Sequence, residues 1–459
     1  TKIMPYGGTA TLSGSLSNTA SGDTLVVGGG QSGSVLILTG DNAALERIWV
    51  NGGGTTGNNV LQIGNGGATG TLGTGDVILY TDAAGAHLRI QRSDGYTLAP
   101  GQKILAAHNG TATNLTKSQV MLNVTGTGFS NNGNLIDLSD GTNRGVLQVG
   151  TTVASATARL TGVIDVGQVS IGANNAVNTA NAVLTFGADD GSATTTVTAG
   201  AISLGTGGTS TLGSNTTGAT LNIHPGVTLT ANGNFQLGET AGASTTVNQF
   251  GGAVSTAHMR IGHWGQETGV YNLSGGSLTF TGGSPAANPS GTGEQNGGIY
   301  LGIDGRGVFN QTGGTVTANW VVLDNRGDTV AGTNMISSLD QYNLSAGTLN
   351  LQSTWGVQQR NSGEFNFSGG TVRIDNTGTG TGTGANLTVP LDTVIYVSGT
   401  GATLDTNGAG NKFTLTRDVT GAGTLTTSGA GTVQFSTGTA QSFTAILAGT
   451  SPVGKIGAG

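Results

Sequence analysis

Apolar and polar residues alternate in short runs along most of this chain, and in its second half one such run is written five times. The copies are VNQFGGAVS from Val247, YNLSGGSLT from Tyr271, FNQTGGTVT from Phe309, YNLSAGTLN from Tyr342 and FNFSGGTVR from Phe365. Their first residues are separated by roughly 24, 38, 33 and 23 positions, a spacing that belongs to repeat architectures rather than to single-core domains. The two long steps hold loop-like inserts, SPAANPSGTGEQNG (Ser284 to Gly297) and DTVAGTNMI (Asp328 to Ile336). Removing them returns both steps to about 24, as expected if insertions bulge from one corner of a coil of constant length.

Each copy predicts strand, corner, strand. Tyr271, Leu278 and Phe280 fall on one side of the chain and Ser277 and Thr279 on the other, the pattern of a half-buried strand. The glycine pair supplies the positive φ of a tight corner. A further strand segment recurs between copies: NFQLG from Asn234, MRIGH from Met259, IYLGI from Ile299, WVVLD from Trp320 and, more loosely, TWGVQ from Thr354. The expectation is therefore an all-β, parallel β-helix (β-solenoid) with about three short strands per coil of about 24 residues, stacked at the ~4.8 Å spacing of paired strands. Like residues then lie on like. Tyr271, Phe309, Tyr342 and Phe365 should form an aromatic ladder that begins at Val247, and Asn248, Asn272, Asn310, Asn343 and Asn366 an amide ladder. The slot two places after the aromatic holds Leu273, Leu344 and Phe367 but also Gln249 and Gln311, and is expected near a corner.

Residues 1–230 repeat less visibly, but SVLIL from Ser34, VLQIG from Val60, VLQVG from Val146, VLTFG from Val183, AISLG from Ala201 and TLNIH from Thr220 read as the same kind of strand. The expected organisation is an irregular β-solenoid half at 1–230, a regular one at 231–376, and a β segment at 377–459 that continues the solenoid or mediates assembly. Residues 82–122 hold much of the charge and read as an excursion or small subdomain with at most one short helix. Composition agrees with a repetitive β protein: 86 of 459 residues are Gly and only 8% are charged, yet 35% are apolar and set in alternating runs, which argues against disorder. The chain has no cysteine, which excludes a disulfide scaffold and cysteine zinc sites and is common in proteins exported by bacteria. A net charge of −7, thinly spread, gives no footprint for nucleic acid, and no apolar run reaches the ~20 residues of a membrane helix. A start at Thr1 is read as a removed export signal, and SPVGKIGAG at the other end as lacking an anchor.

The segment GAGTLTTSGAGTVQFS (Gly421 to Ser436) resembles the autotransporter-associated β-strand repeat, and the five copies resemble the Gly-Gly-Thr-rich repeats of large bacterial surface proteins. The resemblance spans roughly Asn234 to Ser436. It implies a right-handed parallel β-helix outside the cell, and it brings no catalytic residue with it.

Several residues are candidates for chemistry. Asp189 with Asp190, and Asp137 with Asp140, are the candidates for acid and base of a polysaccharide lyase or hydrolase; adjacent strand residues point apart and SDG at Ser139 reads as a turn, which favours structural roles. His258 and His263 sit an odd number apart, on opposite faces of a straight strand, so a shared metal is disfavoured. The tract Gly66 to Asp76 resembles a calcium-binding nonapeptide without its repeating aspartate; calcium in isolated oxygen-rich turns stays open, and no other cofactor is expected. Asn272, Asn310, Asn343 and Asn366 are formal glycan acceptors that an amide ladder explains more simply, whereas Asn109, Asn114 and Asn123 read as better acceptors. Trp49, Trp264, Trp320 and Trp355 are read as packing residues, with sugar stacking the alternative.

The strands at both ends, TATLSG from Thr9, TLVVG from Thr24 and FTAILAG from Phe443, look like more of the same, with no charged helical cap over their edges. The expected function is thus a non-enzymatic extracellular structural protein that pairs with copies of itself into a filament, sheath or surface layer by terminal strand addition. The alternatives are a monomeric adhesin or autotransporter-like passenger stalk that binds a surface glycan or protein through Ser284 to Gly297, and a β-helical carbohydrate-active enzyme.

Overall fold

The computed structural model describes residues 2–456 apart from 4, 6, 17–23, 29–32, 53–57, 82–84, 109–119, 140–144, 151–154, 173–180, 206–217, 239–243, 264–267, 284–294, 304, 324–338, 361–362, 378–385, 400 and 437–441. Among the described residues every regular element is a β-strand, so the protein is all-β. They divide into two compact units, one comprising Thr1–Ser210 and Ser214–Thr230, the other principally Ala231–Gly459.

In the first unit, parallel pairing lines up equivalent residues in three rows. Leu36, Leu61, Leu88, Leu122, Leu147, Val169 and Ile202 are successive register partners. Leu25, Ile48, Val77, Ile104, Ile136, Ile164 and Val197 form a second row, and Tyr96, Phe129, Ala158, Leu184 and Leu221 a third. All of these side chains are buried. Alternation is the cause: each strand turns one set of residues inward, and shifting the register by one place would expose the whole row. The stretch 82–122 is not set apart from this pattern. Its strands Ala86–Ile90, Tyr96–Thr97 and Ile104–His108 supply one member to each row, and no helix occurs in its described residues. Residues 109–119 of that stretch lie outside the described ones.

The second unit is built likewise. One row runs Val247, Tyr271, Phe309, Tyr342, Phe365, Ile395 and Val419. The next runs Val254, Leu278, Val316, Leu349, Val372 and Leu404. The last runs Met259, Ile299, Val321, Val357, Leu391, Leu415 and Phe435. Residues beyond 376 extend these same rows within the same unit. Residues 284–294 of the first long insert, and the whole of the second, 328–336, lie outside the described residues.

Strands Gly162–Ile171, Thr195–Leu204, Val227–Leu237 and Ala253–Ile261 each run past a corner, and two repeats go further. Arg306–Leu323 and Gln341–Gln359 are continuous strands of 18 and 19 residues, because their corners match well enough for pairing to carry on around the bend, with register shifts at Gln311/Thr312, Thr312/Thr315 and Ala318/Trp320. At each corner only the second glycine of the pair has positive φ: Gly252, Gly276, Gly314, Gly347 and Gly370. The first position carries no such demand, which is why Ala346 can stand there in the fourth copy. A Cβ added at Gly347 would also collide with the backbone of Gly313 and Gly314 in the preceding repeat. Gly347→Ala is therefore expected to lower stability by about 1–3 kcal/mol, whereas Ala346→Gly is expected to cost well under that; urea denaturation of the two variants measures the difference.

Candidate functional site

The chemistry-bearing residues of the second unit are concentrated in the row that contains the repeated aromatic. Inside it, Tyr271, Phe309, Tyr342 and Phe365 stack face to face. Their ring centroids are 5.1, 4.8 and 5.3 Å apart, with interplanar angles of 2°, 11° and 14°. The strand spacing sets the ring spacing, and near-parallel rings at this distance contribute about 0.5–1.5 kcal/mol per pair beyond their buried area. Val247 stands below Tyr271 in the row, and the edge of Phe235 also meets the Tyr271 ring at 6.1 Å.

One residue on, the side chains turn outward and the asparagines line up. Asn272 Nδ2 donates to Asn248 Oδ1 (2.9 Å), and Asn310, Asn343 and Asn366 each donate to the preceding member at 2.8 Å. All five are half-buried. The Nδ2 atoms of Asn272, Asn310, Asn343 and Asn366, to which a glycan would be joined, are thus the donors of this ladder. Asn123 occupies a strand, Val120–Val124, and is 7% exposed, so burial removes the irregular, open setting expected of it as an acceptor. Asn109 and Asn114 lie outside the described residues.

The next inward position resolves the slot shared by Leu and Gln. Gln249 ends its strand just before the glycine corner, but it is fully buried. Tyr271 Oη donates to Gln249 Oε1 at 2.6 Å, and Gln249 Nε2 donates to the Ser277 carbonyl at 2.9 Å. Gln311 repeats the arrangement with Tyr342 Oη (2.7 Å) and the Thr348 carbonyl (3.0 Å). Burial pushes both phenols far above the ordinary tyrosine range, so they stay protonated donors.

The carboxylates weighed as catalysts are held by local partners. Asp189 Oδ1 accepts from Arg159 Nη2 at 2.8 Å and lies 3.2 Å from His224 Nε2. Asp190 accepts the Ser192 N–H at 2.9 Å, and its bonds to Ser192 hold its carboxyl below the usual range. Asp137 accepts the Ser139 N–H at 2.9 Å, while Asp140 and Gly141 of the expected SDG turn lie outside the described residues. Asp76, which ends the calcium-like tract, accepts the Lys103 N–H at 2.9 Å. Among the described residues no three His, Asp or Glu side chains converge as metal ligands.

His258 and His263 are both buried. His258 Nδ1 donates to Asn296 Oδ1 at 2.8 Å, and its ring meets Tyr300 edge-on at 6.4 Å. Trp320 is fully buried in a cluster with Tyr300, Ile303 and Val322, against which Trp355 packs. The two tryptophans are one place out of step, since Trp320 is opposite Gly356. Trp49 stacks on Tyr80 at 6.0 Å, and Trp264 lies outside the described residues. Two buried polar groups had no signal in the repeats. Asp340, 4% exposed, accepts the Gly307 N–H at 2.7 Å, and Gly302 leaves the space its carboxylate fills. Asn131 donates to the carbonyls of Asn134 and Thr161 and accepts the Thr161 N–H.

Replacing Asn310 by Ala leaves Asn272 Oδ1 and Asn343 Nδ2 without their partner, an expected loss of about 1–3 kcal/mol, to be read as a lower urea midpoint. Burial holds the His258 imidazole below the ordinary histidine value of 6.5, with the Asn296 hydrogen bond opposing and Arg260 reinforcing that shift. The unfolded chain then binds the proton first as pH falls, so stability is lost on acidification below about 6.5. His258→Asn should flatten the dependence of the denaturation midpoint between pH 8 and pH 5. No protein family, curated protein or solved structure matches this chain.

Proposed function

We propose that each unit is a right-handed parallel β-helix with about three strands per coil of about 24 residues, and that the chain is a non-enzymatic structural protein of the cell exterior that assembles with copies of itself. Three parallel rows in each unit, visited in turn by the repeats from Val77 onward, support the helical reading. The hand follows from the strong preference of parallel crossover connections for the right-handed form, together with the resemblance of Gly421 to Ser436 to autotransporter-associated repeats. The lack of cysteine and the scarcity of charge agree with an exterior setting.

One observation carries the assembly. Ile446–Gly449 and Val453–Ile456 pair with Thr424–Ser428 and Thr432–Ser436 on one side, and among the described residues nothing pairs on the other. The side chains that continue the inward rows there are uncovered: Phe443 is 38% and Val453 46% exposed, against 1% for Val419 and 0% for Val433, the residues preceding them in register. Such an edge is a template for another strand of the same kind, and Lys2–Ile3 and Thr9–Leu12 of a second copy, each paired on one side, are strands of that kind. Head-to-tail pairing of unlike edges propagates as a filament wherever its rotation does not close a ring. Asp189, Asp190 and Asp137 are held in turns and ion pairs, which favours this reading over hydrolysis or lysis of a polysaccharide.

The purified 459-residue chain should form polymers visible by negative-stain microscopy and sediment as a concentration-dependent series. Ile446→Lys with Val453→Lys places charge on the open edge and should return the protein to monomer with an unchanged unfolding midpoint. A wild-type chain that stays monomeric at high concentration would sink the proposal.

A further inference from the structure

The inward slot that follows the aromatic row carries a second pattern, one that concerns how repeats recognise each other and that stands apart from any assembly between copies. Gln249, Leu273, Gln311, Leu344 and Phe367 are successive register partners, all fully buried. Each of the first four residues in this slot is followed, in the next repeat, by an aromatic of matching polarity. Gln249 is followed by Tyr271, Leu273 by Phe309, Gln311 by Tyr342 and Leu344 by Phe365. The geometry supplies the reason. Tyr271 and Tyr342 reach back to the Gln of the preceding repeat, and that Gln also donates to a carbonyl beyond the corner of the Tyr-bearing repeat, Ser277 or Thr348. One amide therefore grips two strands of its successor.

We propose that Gln249, Tyr271, Gln311 and Tyr342 are specificity determinants of stacking: a Gln-bearing repeat selects a Tyr-bearing successor, and a Leu-bearing repeat a Phe-bearing one. A mismatched stack buries a polar atom without its partner. Phe over Gln strands the amide oxygen, and Tyr over Leu strands the hydroxyl, at depths water does not reach. Matched pairs of either kind avoid that penalty, so discrimination rests on rejecting the wrong neighbour as much as on holding the right one. Slippage by one repeat sets every Gln against Phe, and it is this alternative that the alternation excludes.

The test is coupling between the two positions, read as urea midpoints of the whole chain. Gln311→Leu and Tyr342→Phe should each lower the midpoint, and the double variant should recover more than half of the summed loss. The reverse experiment installs a pair where none exists: Leu273→Gln and Phe309→Tyr should each be more damaging alone than the two together. Losses that simply add at either site would overturn the proposal, and because each pair of variants is compared within its own cycle, failure of one cycle to fold leaves the other decisive.

Discussion

Parallel pairing in register makes every residue the neighbour of its own counterpart, about 4.8 Å away. A side chain is therefore acceptable only if it tolerates a near copy of itself above and below. Amides and flat rings meet this condition, since one end of an amide donates to what the other end accepts, and rings stack. Charges do not meet it. They are 8% of the chain, and where they occur on strands the partner often differs: Arg47 is opposite Asp76, and Arg373 is opposite Asp405 with 3.3 Å between Nε and Oδ2. Asp137 opposite Asp165 is the exception, and the Asp137 carboxylate is drawn to the Ser139 N–H.

The same constraint explains how polar groups enter the interior. The corners bury backbone N–H and C=O groups that no strand satisfies; the Asp340 carboxylate completes one of them, and neutral amides complete others without the cost of desolvating a charge. Asn131 does this in the first unit. In the second, Asn411 accepts the Leu387 N–H and donates to the Thr406 carbonyl. Gln102 donates to the Gly75 carbonyl while accepting the Ala99 N–H. Positions of this kind fix loop geometry with an uncharged side chain.

Much of this was legible in advance where the sequence repeats itself. Five near-identical phrases give the stacked aromatics, the aligned asparagines and the glycine corners, because equivalence along the chain translates directly into adjacency across strands. The first unit was harder to read, since its rows are held by interchangeable Leu, Ile and Val and its corners differ in length, so charge in 82–122 looked like a separate body. The roles of Gln249 and Gln311 were hidden although the signal was present. Reading each copy against an average makes Gln an irregularity, and only reading it against the next copy reveals its tyrosine. Asp340 and Asn131 left no trace because a single buried polar residue in a loop has no pattern to belong to.

The asparagine ladder has a direction. In all four hydrogen bonds the later residue donates to the earlier one, so the side-chain amides point the same way and their dipoles add. The carbonyl ends face the higher-numbered repeats, and the sum places partial negative charge at Asn366, whose register neighbour is the half-exposed Tyr396. A line of neutral side chains thus carries a net dipole along the row, its negative end at Asn366 and its positive end at Asn248.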